Sequence, residues 1–397
     1  MEVLRAGRVF DGERLLEATD VVVEDGRVGE VNGPGAYPGG VTVTDHGPDA
    51  TILPGLVDTH VHLTWNCSTD PLGWFGRSDD DALLERARAN ARTALAAGIT
   101  TVRDLGDRRY VVVGLKDELD ADPGAGPAVV ASGPPVTTSG GHCWFLGGEV
   151  GDTAAAAALA AAVAERADSG VDVVKIMVTG GNVTPGSPPH LNQFELQAVR
   201  AVVEAAHQRG MPVATHAHGA DGVEVALEAG VDTIEHCSFM SCEGVEQRPA
   251  LVERLAVSQI PVVLTAGQLP GSAAHPAIAA RMPALVAHAQ SLVAAGVRTV
   301  LATDAGVSPG KPHDVLRHAI AQVVTGGVPA TEALHQATAR AADAVGLRGR
   351  AGRVRSGEPA DLLVVDGDPV ANPAALLRTL EVRRSGMRVG GGTVASG

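Results

Sequence analysis

The middle of the chain alternates apolar runs with longer segments that are rich in Ala and Leu and end at Gly. Uninterrupted apolar runs are typical of parallel strands buried on both faces, and Ala- and Leu-rich segments favour helices. The eight runs, in chain order, are TILPGLVDTHVHL, GITTVRDLG, PAVVASG, VDVVKIMV, MPVATHAHG, VDTIEHCS, IPVVLT and VRTVLATDAG. Eight strands that alternate with helices predict an α/β fold, the (β/α)₈ TIM barrel. A doubly wound open sheet is disfavoured because no GxGxxG follows the first strand.

The clearest of the segments between the runs predict helices over residues 81–98, 153–170, 194–210 and 275–296. The second of these is very rich in Ala, the strongest helix former, and we expect Asp152 or Thr153 to cap it.

The two ends of the chain have a different pattern from the middle. The first fifty and the last fifty residues contain short Val-rich segments with alternating apolar positions, separated by Asp-Gly turns. This pattern is typical of antiparallel hairpins. We therefore predict a small discontinuous β-sandwich domain made from residues 1–54 and 351–397, with the barrel over residues 55–350.

Composition and charge limit the partners that this chain can have. The formal net charge is −15, which disfavours nucleic acid and anionic membranes, because both are bound by clusters of Lys and Arg. A small-molecule substrate fits better, and a homo-oligomer is compatible with these features. The four cysteines form no CxxC pair and are predicted to be free thiols. Since no signal peptide and no apolar run of about 20 residues is present, we expect a cytoplasmic protein.

Several of the predicted barrel strands end in residues that bind metal ions. His60 and His62 stand two positions apart on the first strand, so both imidazoles point to the same side. His216 and His218 end the fifth strand, His236 ends the sixth, and Asp304 follows the eighth. Because the carboxyl ends of the strands form the mouth of a barrel, these side chains are expected to meet there.

Lys175 lies inside the fourth apolar run, VDVVKIMV, where an ammonium group is costly to bury. One interpretation is that its stem reaches out to a carboxylate. The other is that the neutral amine reacts with CO₂ to give a carbamate that bridges two metal ions. Nitrogen and oxygen ligands without thiolates suit Zn²⁺, with Mn²⁺, Fe²⁺ or Co²⁺ as alternatives. Two such ions would hold a bridging hydroxide, which predicts a hydrolase.

The same segments resemble the amidohydrolase superfamily. The similar stretches are PGLVDTHVHL, VKIMVTGG, ATHAHG, DTIEHCS, ATDAG and GRVRSGEPADLLVVDGDP, which together extend over most of the chain. The resemblance implies that His60, His62, the Lys175 carbamate and Asp304 surround one metal ion. It also implies that the carbamate, His216 and His236 hold the second ion. Asp304 would then move the proton from the attacking hydroxide to the leaving amine.

Within the superfamily, the HAHG and PHDVL segments look like the branch of Xaa-Pro dipeptidases and imidazolonepropionase-like proteins. That branch often has GGH after the third strand, which corresponds to His142 here. His142 and His218 are therefore candidates for binding the scissile carbonyl. The following segment, CWFLGGEV, departs from the pattern because it contains Trp144 and Phe145. Most of the remaining histidines are expected to lie at the surface or to cap helices, with His313 as the exception because it opens the loop beyond Asp304.

These observations predict a metal-dependent hydrolase that cleaves an amide or peptide C–N bond of a small substrate. An Xaa-Pro dipeptide or an N-acyl amino acid is the leading expectation. A cyclic amide, such as a lactam or an imidazolone, is an alternative substrate. Deamination is disfavoured because deaminases of this superfamily usually bind one metal ion without a carbamate lysine. An inactive scaffold barrel is a further alternative, although such proteins normally lose metal ligands and none is missing here.

Overall fold

A computed structural model describes residues 1–151, 155–274 and 276–389. Its strands are β1 Glu2–Phe10, β2 Leu15–Glu24, β3 Arg27–Asn32, β4 Thr42–Asp45, β5 Ala50–Pro54, β6 Leu56–Val61, β7 Ile99–Asp104, β8 Ala128–Ala131, β9 Val174–Met177, β10 Val213–Ala217, β11 Thr233–His236, β12 Val262–Thr265, β13 Thr299–Ala302, β14 Leu362–Asp366, β15 Thr379–Arg384 and β16 Met387–Arg388. Its helices are α1 Pro71–Arg77, α2 Asp80–Ala96, α3 Val111–Ala121, α4 Ala156–Asp168, α5 Leu196–His207, α6 Ala220–Ala229, α7 Pro249–Ser258, α8 Pro276–Ala279, α9 Met282–Ala294, α10 Leu316–Thr325, α11 Ala330–Gln336 and α12 Ala339–Ala344. Short 3₁₀ turns cover Trp144–Leu146 and Pro373–Leu377.

Strands β6 to β13 form the barrel. The first three pair in parallel as one sheet, and β9 to β13 pair in parallel as another. Two single parallel bridges join these sheets, Val136 to Ile176 on one side and Val61 to Ala305 on the other. Each of the eight predicted apolar runs contains one of these strands, so the prediction of a (β/α)₈ barrel is confirmed.

A buried carboxyl group helps to close the barrel between its first and last strands. Asp58 on β6 accepts hydrogen bonds from the Thr303 backbone N–H at 3.1 Å and from the Thr303 hydroxyl at 2.6 Å. Burial raises the pKa of Asp58 to about 7, although these hydrogen bonds act to lower it. This contact fixes the segment between β13 and Asp304 against the strand that carries His60.

The two ends of the chain form one eight-stranded sheet, which contains β1 to β5 and β14 to β16. Most neighbours are antiparallel, whereas β1 runs parallel to β4 and β5. The prediction of a small β domain built from both termini is confirmed. We propose the boundaries 1–54 with 351–397 for this domain and 55–350 for the barrel; residues 390–397 lie outside the part of the chain that the structure describes.

The passage from the small domain into the barrel occurs at Gly55, between β5 and β6. A Cβ atom at this position would lie 2.0 Å from the Thr100 hydroxyl oxygen, so a side chain would push β6 away from β7. The small domain is also held by Arg384, whose guanidinium donates to the backbone carbonyls of Leu119 at 2.6 Å and Gly126 at 2.8 Å.

The predicted helices differ from the observed ones in one place. The sequence predicts a single helix over residues 275–296, but α8 ends at Ala279 and α9 begins at Met282. Pro283 lies in the first turn of α9, where proline is tolerated, but its ring would clash with the Ala279 carbonyl if one helix continued through this segment. His275, and the predicted caps Asp152 and Thr153, lie outside the described residues. Of the helices in the described part of the chain, none combines the length and the apolar character that crossing a membrane requires.

Candidate metal centre

The first group of predicted ligands lies where β6 and β13 end. The His60 Nε2 atom is 3.6 Å from Asp304 Oδ1, and His62 Nε2 is 3.2 Å from the same oxygen. One ligand atom from each of the three side chains lies within 4.8 Å of the others, a spacing that could hold a metal ion.

The second group lies at the ends of β10 and β11. The ring centroids of His216 and His236 are 4.6 Å apart, and one ligand atom each from His216, His218 and His236 lies within 4.8 Å of the others. The His60 and His236 rings are 5.0 Å apart, so the two groups are neighbours. The structure therefore brings six predicted site residues to one mouth of the barrel. They are the predicted ligands His60, His62, His216, His236 and Asp304 and the candidate carbonyl binder His218.

Unusual backbone conformations turn two of these side chains into the mouth. His236 has φ +67° and Asp304 has φ +61°, in the left-handed region that residues other than glycine rarely adopt. In the parallel register, Glu235 lies opposite His216, so simple alternation would place Glu235 inside and His236 outside. The left-handed turn at His236 brings its ring inward as well, and strain of this kind concentrates at functional sites.

A protein group holds one ring nitrogen of each predicted histidine ligand. The contacts are His60 Nδ1 to Glu235 Oε2 at 2.8 Å, His62 Nδ1 to the Gly106 carbonyl at 3.2 Å, His216 Nε2 to the Gly180 carbonyl at 2.8 Å and His236 Nδ1 to the Thr265 hydroxyl at 2.8 Å. A nitrogen that faces a carbonyl or carboxylate oxygen carries the proton, which leaves a lone pair on the other nitrogen. Metal-binding histidines in proteins are oriented in this way.

Burial keeps the imidazoles of His60, His216 and His236 neutral. It lowers the pKa of His60 to about 4 and holds the pKa values of His216 and His236 well below the usual value. The positive charge of Lys175 lowers all three further. Neutral imidazoles are the form that binds metal ions.

The carboxyl group of Asp304 faces these lone pairs. Burial raises the pKa of Asp304, but a hydrogen bond from His62, the charges that His60 and His62 carry when protonated and the ammonium of Lys311 outweigh it and hold that pKa well below its usual range. An ionised carboxylate and an unprotonated nitrogen repel each other at 3.2 Å unless a proton or a cation lies between them. The donor set of this group therefore fits a divalent cation.

Lys175 lies on β9 and is 1% exposed. Its Nζ atom has no hydrogen-bond partner in the described part of the chain. In the register, Lys175 is opposite Ala214, two positions before His216 on β10, so its side chain shares the inner face with His216. Burial lowers the pKa of Lys175 to about 8, which increases the fraction of neutral amine. The first interpretation of Lys175, in which its ammonium group pairs with a carboxylate, is not observed among the described residues.

The two candidate carbonyl binders also lie at the mouth. The His142 ring is 4.6 Å from that of His216, and its Nδ1 atom is buried without a hydrogen-bond partner in residues 1–151, 155–274 and 276–389. His218 Nδ1 lies 2.8 Å from the Ser238 hydroxyl. Burial lowers the pKa of His142 to about 3 and that of His218 to about 4, so both rings are neutral. His313 is buried too, with Nε2 at 3.1 Å from the His62 carbonyl.

Sequence reasoning missed two buried charged residues beside the first group. Glu235 Oε2 contacts His60 Nδ1, and Arg103 on β7 donates to Glu235 Oε1 at 2.8 Å. The signal for Arg103 is the same as for Lys175, a cation inside an apolar run, here GITTVRDLG. Glu235 is easily overlooked because it stands next to the more conspicuous His236.

Aromatic rings form a continuous series from His62 outward. The ring centroids lie 5.2 Å apart for His62 and Trp65, 5.8 Å for Trp65 and Phe145, and 6.3 Å for Phe145 and Trp144. Trp65 is 2% exposed, whereas Trp144 is 40% exposed. We call Trp65, Phe145 and Trp144 the aromatic wall. It extends from the first ligand group to the protein surface.

The sequence profile of the amidohydrolase family matches residues 51–386. The chain belongs to the amidohydrolase family. It is a hydrolase that acts on carbon–nitrogen bonds, and enzymes of this family generally bind divalent metal ions. The family predicted from the motifs is therefore confirmed.

Three similar proteins illustrate the range of the family. The ochratoxinase of Aspergillus niger is 26% identical over 355 residues, which cover 80% of this chain and 71% of that protein. The imidazolonepropionase of Salinispora tropica is 27% identical over 379 residues, covering 87% of this chain and 85% of that protein. A crystal structure of a Xaa-Pro dipeptidase with methionine bound in its active site matches with a TM-score of 0.84 and 27% identity, covering 98% of this chain and 100% of that one. These similarities confirm the predicted branch.

Proposed function

We propose that this amidohydrolase cleaves the amide or peptide bond of a small substrate, with an Xaa-Pro dipeptide or an N-acyl amino acid as the leading class. The observation that carries the proposal is the meeting of two ligand groups around one buried lysine that lacks a hydrogen-bond partner among the described residues. The similarity to a Xaa-Pro dipeptidase supports the substrate class.

We infer that His60, His62 and Asp304 would hold one divalent ion, and that His216 and His236 would hold a second. Lys175, as a carbamate formed with CO₂, would contribute to both. Imidazole and carboxylate donors without a thiolate suit Zn²⁺. When bound, the ions would supply a polarised carbonyl and a water molecule whose pKa is lowered to about 7.

The residues of this chain account for the proton transfers that amide cleavage needs. The ionised Asp304 carboxylate takes a proton from the attacking water and then donates it to the nitrogen of the leaving amine, so that the C–N bond breaks without release of an amide anion. General acid–base transfer of this kind contributes about 10²–10⁴-fold to a rate.

His142 and His218 are proposed to bind the oxygen of the scissile carbonyl. Both rings are buried and neutral at the mouth. His218 Nδ1 lies 2.8 Å from the Ser238 hydroxyl; in the tautomer in which this hydroxyl donates to Nδ1, His218 carries its proton on Nε2, where it can donate to the carbonyl oxygen. A fixed donor in a site that excludes water stabilises the negative charge that develops on this oxygen.

The aromatic wall favours the binding of substrates that carry an apolar group beside the scissile bond. All three tryptophans of the chain, Trp65, Trp74 and Trp144, lie in or beside the apolar cluster of the loops that follow the barrel strands. Aromatic faces bind apolar side chains and proline rings through burial of their surface. We therefore expect apolar residues next to the cleaved bond to be preferred over acidic ones.

A second candidate function is the opening of a cyclic amide, which the similarity to imidazolonepropionase supports. The same ligands and the same Asp304 would serve for it, because a lactam also requires attack at a carbonyl and protonation of nitrogen. An inactive scaffold is a weaker candidate, since the predicted histidine and aspartate ligands all lie at the mouth.

The proposal is tested by screening the zinc-loaded protein against a library of Xaa-Pro dipeptides, N-acyl amino acids and cyclic amides. We expect hydrolysis of a dipeptide or an N-acyl amino acid with an apolar residue beside the scissile bond. Removal of the metal with a chelator should abolish turnover, and addition of Zn²⁺ should restore it.

The library separates the candidates. Cleavage of cyclic amides alone would favour the second function. Activity that survives complete removal of metal would contradict the proposed chemistry. Absence of turnover on the whole library, together with less than about one bound ion per chain, would favour the scaffold.

A further inference from the structure

Glu235 connects a predicted metal ligand to a buried cation. Its Oε2 atom accepts the hydrogen bond from His60 Nδ1 at 2.8 Å. Its Oε1 atom accepts hydrogen bonds from Arg103 Nη2 at 2.8 Å and from the Thr233 hydroxyl at 2.6 Å. The Glu235 side chain is fully buried, so each carboxylate oxygen has its partners within the protein.

Arg103 on β7 fixes this carboxylate from across the barrel, since β7 pairs with β6 and β8 and not with β11. Its guanidinium donates to the Thr59 carbonyl at 2.7 Å, to the Thr233 hydroxyl at 3.1 Å and to Glu235. The contacts tie β7 to β11 and to the residue before His60. The ion pair between Arg103 Nη2 and Glu235 Oε1, 2.8 Å apart and buried, favours the ionised form of this carboxyl group.

A carboxylate in this position determines which nitrogen of His60 carries the proton. An ionised carboxylate only accepts hydrogen bonds, so His60 must keep its proton on Nδ1. The lone pair then lies on Nε2, which faces Asp304. Rotation of the ring would break the contact with Glu235 and leave a buried charge without one of its partners, which is costly.

We propose that Glu235, anchored by Arg103 and Thr233, is a positioning residue that presents the Nε2 lone pair of His60 to the metal ion. The inference rests on the proposed metal centre and adds to it a residue that touches neither metal nor substrate. Partners of this kind typically change metal affinity by about 10- to 100-fold.

A merely structural role for the pair would predict something different. Buried ion pairs contribute little net stability, and apolar replacements of both partners are often tolerated. If the pair only stabilised the barrel, its loss would change the unfolding temperature and leave the intrinsic affinity for metal unchanged. If it positions His60, metal affinity falls even in a variant that folds well.

The main test is Glu235→Gln in the full-length protein, titrated with Zn²⁺ against a competing chelator. The amide has one acceptor and one donor end. If the NH₂ group faces Arg103 and Thr233, it meets groups that are themselves donors. If it instead donates to His60 Nδ1, the ring proton of His60 must move to Nε2. We expect Zn²⁺ affinity to fall by about 10- to 100-fold.

The matched control is Glu332→Gln, which alters another Glu–Arg pair. Glu332 contacts both terminal nitrogens of Arg340, at 2.5 and 3.1 Å, in helices α11 and α12, which contain none of the predicted ligands. This variant should bind Zn²⁺ like the original protein. An equal loss of affinity in both variants would show a general effect on the fold and overturn the inference.

Two further measurements test the inference if the Glu235→Gln variant does not fold. The double variant Arg103→Met with Glu235→Leu removes both charges at once, and it should fold yet bind Zn²⁺ as weakly as Glu235→Gln. Unchanged affinity in it would overturn the inference. Nitrogen NMR of the unsubstituted protein, with His60 assigned by its loss in His60→Gln, should show a proton on Nδ1; a proton on Nε2 would also overturn it.

Failure of the inference and failure of the proposed function give different results. If the unsubstituted protein binds no divalent metal, the proposed centre is wrong. If it binds Zn²⁺ tightly and Glu235→Gln binds equally well, the centre stands and the positioning role of Glu235 is wrong.

Discussion

Replacement of Asp304 by Asn is expected to leave the fold and much of the bound metal in place and to lower kcat by about 10²–10⁴-fold. The amide keeps the size of the side chain and one oxygen that can remain a ligand. It cannot accept the proton of the attacking water, so the leaving nitrogen receives no proton from this residue. Steady-state kinetics on the best substrate of the library, with metal content measured in the same samples, checks this result.

The control for this variant is Asp366→Asn. Asp366 is about half exposed in the small sheet, where it pairs with Arg378 at 3.3 Å. Exposed ion pairs contribute at most about 1 kcal/mol, so this variant should keep its activity. Turnover of Asp304→Asn within a few-fold of the original protein would reject the acid–base role.

Replacement of Lys175 by Ala is expected to remove metal and activity together. The Nζ atom has no hydrogen-bond partner among the described residues, so its removal takes an unfavourable buried group out of the barrel. We therefore expect the unfolding temperature of the metal-free protein to stay the same or rise. Metal content should fall from about two ions per chain to less than about one.

Short carboxylic acids such as acetate or propionate should partly restore both metal and turnover in Lys175→Ala, since they can occupy the place of the carbamate. Lys116→Ala is the matched control, because Lys116 pairs with Asp172 on the outside of the barrel. It should keep its metal. A Lys175→Ala protein with full metal content and normal turnover would contradict the bridging role.

The order of the barrel strands could be predicted from the sequence because buried parallel strands are continuous apolar runs and the helices between them end at Gly. The same reasoning identified the candidate ligands, since the carboxyl ends of all eight strands share one mouth. Lys175 stands out in the sequence because an ammonium group inside an apolar run is costly to bury.

Other features depend on tertiary contacts that the pattern does not contain. The inward turn of His236 results from its positive φ, and a histidine at this position does not predict a positive φ. The pairing of Arg103 with Glu235 joins strands 132 positions apart along the chain. The break between α8 and α9 follows from Pro283, which can begin a helix but cannot continue one from the preceding turn, and the apolar pattern of the segment gives no sign of this break.

The most direct test of the proposed centre is a crystal structure of the zinc-loaded protein with anomalous diffraction recorded at the zinc edge. We expect two peaks about 3.5–4 Å apart, one among His60, His62 and Asp304 and one between His216 and His236, with density for a carbamate on Lys175. A single peak ligated by His216, His218 and His236, with Lys175 unmodified, would contradict the account.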